Sequence, residues 1–127
     1  MSAWMRAQAR EEHEHAMRIF DFVLHRGRRV ELKGVDAPRA GFDSPFEAFR
    51  HALGGEQQVT GQINDLYELA SSQKDHATRV MLEWFITEQV EEEDTIQTIV
   101  DQLAMPGSDS AALLMLDQRL GERTPSR

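Results

Sequence analysis

Residues 83–100 read EWFITEQVEEEDTIQTIV. Turned at about 100° per residue, this run and its flanks place Met81, Trp84, Phe85, Ile96, Ile99 and Leu103 along one side of a helix. Glu88 and Glu92 fall inside the same stripe. Carboxylates are rarely buried unless they are paired or bound to a cation. Two of them on an apolar face therefore need a partner, and the rest of the chain has to supply it.

The chain has 127 residues, the size of a single domain with one core. Fourteen Lys and Arg against 22 Asp and Glu leave a formal charge of -8. That balance disfavours nucleic acid and anionic membranes as partners and favours cations. Without cysteine there is no disulfide and no thiolate ligand, so a metal would be held by carboxylate, imidazole or amide groups, which suit iron, manganese or magnesium. No apolar run reaches the length of a membrane span, and the N-terminus MSAWMRAQAREE lacks the features of a signal peptide. A cytoplasmic location is expected.

Around the central helix the periodicity predicts three others. Residues 2–26 put Met5, Ala9, Glu12, Ala16, Ile19, Phe20 and Val23 on one face, with Gly27 as the stop and no capping signal ahead of the first turn. Residues 27–43 are polar and interrupted by Gly and Pro; connections of this length cross between distant helix ends in certain four-helix bundles. Ser44-Pro45-Phe46-Glu47 then marks a helix start three ways: Ser at the N-cap, Pro at the first position and Glu three residues on. The helix over 45–72 carries Phe49, Leu53, Val59, Ile63, Tyr67 and Ala70, with Glu56 near its middle and Gly54, Gly55 and Gly61 weakening it. A short turn at 73–75 makes it an antiparallel neighbour of the helix over 75–104. A last helix over 109–120 aligns Leu113, Leu116 and Leu120, follows Pro106-Gly107 and ends at Gly121, ahead of the frayed tail ERTPSR.

Three helices thus share one anomaly, an acidic residue inside the apolar stripe: Glu12, then Glu56, then Glu88 with Glu92. His15 follows Glu12 by three residues, so the two project from one face, as in the Glu-x-x-His unit of bundle-core di-iron sites. Taken singly, such a glutamate is most often a side chain reaching solvent, and runs such as 91–94 are usually hydrated. Taken together, several carboxylates in one core are prohibitive unless metal or protons neutralise them. A metal site is the expectation.

The segments AQAREEHEHAMRIFDF, SPFEAF, EQQVTGQINDL and LEWFITEQVEEED resemble bacterial non-haem ferritins in order, spacing and residue type. The resemblance implies an all-α, ferritin-like four-helix bundle with a long crossover loop and a short C-terminal fifth helix. It further implies that Glu12 bridges two irons, His15 binds the first, Glu56 and Glu92 bind the second, and Gln89 is a nearby polar group. Glu11, Glu88 and Glu91 match positions that hold a third iron beside the pair, with Glu92 shared. Where more symmetric di-iron proteins repeat the histidine, this chain has Glu88-Gln89-x-Glu91-Glu92, the oxygen-only pattern of ferritins. No methionine reads as a haem ligand, and the six are assigned to packing.

In that family a first helix supplies one more glutamate, and the second helix begins before this chain does. The expectation is a ferritin-like domain over 1–127 without its first helix and the start of its second. Two functions follow. The first is iron storage with ferroxidase chemistry: Fe(II) oxidised by O2 or peroxide at a di-iron centre, and Fe(III) stored in a homo-oligomeric shell of 24 subunits. The second is a catalytically weak structural or interaction subunit that self-associates to cover an exposed core around Trp4, Phe20, Trp84 and Phe85.

Overall fold

The computed structural model describes residues 2–105 and 110–122, the side chains of 110–113 and 116 excepted. It contains four helices, α1 (Ser2–His25), α2 (Pro45–Ser72), α3 (His76–Ala104) and α4 (Ser110–Gly121), and no strand among the described residues. The described residues of 38–105 form one compact unit and those of 2–37 with 110–122 another.

The unit over 38–105 is an antiparallel hairpin of α2 and α3, whose ends are set by local chemistry. Ser44, in extended backbone at φ -158°, caps α2 by accepting the Glu47 N–H at 3.2 Å, and Pro45 occupies a first turn that needs no donor. Just before it, the Arg39 guanidinium lies 4.7 Å from the Phe42 ring centre and Arg39 Nε donates to the Gly41 carbonyl at 2.9 Å, which fixes how the chain enters the helix.

At the other end Lys74 takes a left-handed φ of 56°. The Lys74 N–H then donates to the Ser71 carbonyl and the Asp75 N–H to the Ala70 carbonyl, a Schellman termination achieved without glycine. Asp75 at once caps α3: Oδ1 accepts the Thr78 N–H at 3.2 Å and Oδ2 accepts the Thr78 hydroxyl at 2.6 Å. Three residues thereby reverse the chain, and α2 and α3 pack along their length.

Phe49, Leu53, Ile63 and Ala70 are buried on α2, and Leu82, Phe85, Ile96, Ile99 and Val100 on α3. Farther toward the turn Arg79 Nη2 donates to the Tyr67 hydroxyl at 3.3 Å, a bond that raises the Arg79 pKa. One sequence expectation is corrected here. Val59 is exposed, and the stripe passes instead through Thr60, which is half-buried four residues after Glu56. Among the described residues nothing stands where a Cβ of Gly54, Gly55 or Gly61 would be, so close approach of a described neighbour does not account for them.

In the second unit α1 ends at Gly27, whose φ of 72° lets its own N–H reach the Leu24 carbonyl and the Arg28 N–H reach the Val23 carbonyl. Its buried residues are Trp4, Glu11 and His15. The expected core face is therefore displaced over the first part of the helix, where Met5, Ala9 and Ala16 are exposed, while Ile19, Phe20 and Val23 of that face are half-buried and Glu12 sits at the margin of the buried stripe. Helix α4 touches α1 and buries Leu120. The remaining expectations for this region, Pro106-Gly107, a start at Asp109, the stripe through Leu113 and Leu116 and the tail after Glu122, lie outside the described residues.

Candidate metal centre

On α3 the residues Phe85, Glu88, Gln89, Glu92, Ile96 and Ile99 share one side, following the three-and-four spacing that keeps side chains on a single face. Glu88 is 8 % exposed, Gln89 3 % and Glu92 6 %, with hydrophobic neighbours above and below in the stripe. Like charge is concentrated here: a carboxylate oxygen of Glu92 lies within 4.8 Å of one on Glu88 and of one on Glu56. At an effective dielectric of about 20, two unit charges at that separation repel by roughly 3.5 kcal/mol. An arrangement that accumulates such repulsion in place of hydrophobic packing is what a cation site requires and what stability alone would eliminate.

Opposite Glu92 across the hairpin stands Glu56, half-buried in the middle of α2. Its orientation comes from Gln89, whose Nε2 donates to Glu56 Oε2 at 3.0 Å, to the Glu56 carbonyl at 3.2 Å and to the Thr60 hydroxyl at 3.2 Å. Thr60 in turn donates its own proton to the Glu56 carbonyl at 3.0 Å. The hairpin thus supplies three acidic side chains and an amide that fixes one of them.

On α1, Glu12 and His15 stand one turn apart on adjacent positions. Glu12 Oε1 accepts an amide hydrogen from Gln8 at 3.0 Å, and His15 Nδ1 is 3.6 Å from Glu12 Oε2, beyond hydrogen-bonding distance but within the range that a shared cation spans. His15 and Glu11 are both buried, Glu12 only partly.

The structure brings Glu56, Glu88, Gln89 and Glu92 together on the hairpin and sets Glu12 beside His15 on α1. Glu91 is exposed. Two orienting residues escaped the sequence reading, Gln8 and Thr60. Each lies four residues from an expected ligand, and that spacing is the signal that could have found them. The donor set is hard oxygen with one imidazole, which suits iron and other first-row cations and leaves coordination positions open.

Comparison with known proteins points the same way. A model of the ferritin-like domain family matches residues 1–105. The chain is 41 % identical over 117 residues to the bacterial non-haem ferritin of Staphylococcus aureus, covering 92 % of this chain and 70 % of that protein, and 40 % identical over the same length to that of Staphylococcus haemolyticus. Among solved structures it is similar to an open-pore ferritin from Archaeoglobus fulgidus, with a TM-score of 0.94 and 47 % identity over 97 % of this chain and 76 % of that one. A humanized archaeal ferritin gives a TM-score of 0.95 at 44 % identity, covering 99 % and 76 %.

Proposed function

This chain belongs to the ferritin family, and from that premise we propose that it takes up ferrous iron, oxidises it at a carboxylate-rich di-iron centre and stores the ferric product. The observation that carries the proposal is the burial of Glu88 and Glu92 on the apolar face of α3, with Glu92 within reach of Glu56. The four catalytic ligands are Glu12, His15, Glu56 and Glu92. Glu12 bridges the two irons, His15 completes the first position, and Glu56 with Glu92 holds the second. Gln89 orients Glu56. Glu11, Glu88 and Glu91 form an adjoining site that shares Glu92, with exposed Glu91 at its solvent side.

In this reading iron is the substrate, and the protein contributes charge and position. Two Fe(II) ions neutralise the converging carboxylates, which removes the repulsion of the metal-free state. Each iron gives one electron to dioxygen, which takes up two protons and leaves as hydrogen peroxide; with peroxide as oxidant the same two electrons and two protons yield two waters. Carboxylates favour the ferric ion as it forms because their charge matches its higher charge, and this differential attraction drives the step. Ferric ions then hydrolyse and pass to storage.

Storage requires an enclosed space, and we place the chain in a homo-oligomeric shell of 24 subunits in the cytoplasm. No described helix is long and apolar enough to cross a membrane. The exposed apolar residues of α1, Met5, Met17 and Leu24, support association with further protein. The second reading, a subunit that associates without catalysing, expected an exposed core around Trp4, Phe20, Trp84 and Phe85; Trp4 and Phe85 are buried and Phe20 and Trp84 half-buried, so it rests on these exposed residues of α1 instead.

Aerobic addition of ferrous iron separates the two. Ferric absorbance growing faster than in a protein-free blank, with the gain abolished by Glu12→Ala, supports ferroxidase chemistry. Rates equal to the blank would leave only the structural role.

A further inference from the structure

The amide of Gln89 is the most buried polar group on the hairpin, and its hydrogen-bond accounting is tight. A primary amide nitrogen carries two hydrogens. Three acceptors surround Gln89 Nε2: Glu56 Oε2 at 3.0 Å, the Glu56 carbonyl at 3.2 Å and Thr60 Oγ1 at 3.2 Å. One N–H therefore serves the carboxylate, and the carbonyl and the hydroxyl share the other.

Thr60 has a single hydroxyl proton, and the Glu56 carbonyl receives it at 3.0 Å. Toward Gln89 the hydroxyl accordingly presents a lone pair. With the proton committed in this way, only the NH2 end of the amide fits against Thr60 and Glu56. The reversed amide would set its own oxygen against two oxygens of Glu56.

We propose that Thr60 is a positioning residue for metal binding by Glu56, acting through the Gln89 amide. The inference rests on Glu56 being a metal ligand, as argued above. Without the hydroxyl, the second N–H of Gln89 keeps only the carbonyl, the amide gains freedom about its last torsion, and the carboxylate it holds moves with it. Partners that orient a ligand from behind change metal affinity by roughly 10- to 100-fold when removed.

A threonine that bonds back to a carbonyl four residues earlier is common in helices and by itself means little. Thr98 does so to Asp94 at 2.9 Å and is exposed, so it supplies the control. What sets Thr60 apart is the amide it receives.

The test is calorimetric titration of the metal-free full chain with Zn2+, a redox-inert probe. Comparing wild type with Glu56→Ala first identifies the binding step to which Glu56 contributes. Thr60→Val is expected to weaken that step roughly tenfold, Thr60→Ser to restore it, and Thr98→Val to leave it unchanged. Adding Thr60→Val to Gln89→Ala is expected to cause no further loss, because the hydroxyl acts only through the amide. Thr60→Ala, well tolerated in a helix, gives a second hydroxyl-free variant should valine disturb folding.

Affinity within twofold of wild type for both hydroxyl-free variants overturns the proposal while leaving Glu56 as a ligand. Additive losses in the double variant overturn it as well. No difference between wild type and Glu56→Ala overturns the ligand assignment and the proposal with it.

Discussion

Replacing Glu92 by glutamine separates a residue kept for metal from one kept for stability. The substitution keeps the shape of the side chain and removes its charge. Glu92 is buried and has carboxylate oxygens of both Glu88 and Glu56 within 4.8 Å. Each pair repels by roughly 3.5 kcal/mol at an effective dielectric of about 20. The other partners of Glu92 and the relaxation of flexible side chains offset much of that, so a net gain of about 2 kcal/mol is expected for Glu92→Gln without metal. In a chain of this size, that raises the unfolding midpoint by roughly 6–10 °C.

Metal reverses the order. At a Zn2+ concentration about 100 times the dissociation constant, the wild type gains about 2.7 kcal/mol, and the variant, short of a ligand, gains much less. The assay is thermal unfolding followed by helical circular dichroism, with chelator and then with Zn2+. A variant less stable than wild type in chelator would refute the reasoning, since the favourable partners of Glu92 would then outweigh the repulsion.

Three further expectations concern the scaffold and are read by the same thermal unfolding without metal. Asp75→Ala removes both acceptors of the Thr78 N–H and hydroxyl at the start of α3 and should cost about 1 kcal/mol. Lys74→Gly should stabilise by up to about 1 kcal/mol, because the left-handed backbone at φ 56° strains any side chain. Gly61→Ala should stabilise by about 0.5–1 kcal/mol, as nothing among the described residues meets the added methyl; a loss would show that another surface packs there.

The glutamates that define the site were legible in the sequence because burying a charge is costly enough to stand out against a helical apolar stripe. Glu88 and Glu92 stand out on that ground, and both are buried. The start of α2 was equally legible, since Ser44, Pro45 and Glu47 each act within one turn, as the Ser44 cap confirms. Less visible was the face that α1 buries. Periodicity allowed Met5, Ala9 and Ala16 as the core, whereas Trp4, Glu11 and His15 are the buried residues. Neighbouring stripes of a helix differ by only about 100° of rotation, and a stripe that carries Glu11 and His15 gives no apolar signal of its own. Thr60 escaped for a different reason: a hydroxyl gains its role from the Gln89 amide, which is 29 residues away in sequence.

The central claim is that Glu12 and His15 of α1 and Glu56 and Glu92 of the hairpin bind one pair of irons. Crystals of the protein soaked anaerobically with ferrous iron, with data collected at the iron absorption edge, test it most directly. The account predicts two anomalous peaks about 3.5–4 Å apart, one within bonding distance of His15, the other of Glu56, with oxygens of Glu12 between them. Iron found only at surface carboxylates, with none bound to His15 or Glu56, would contradict it.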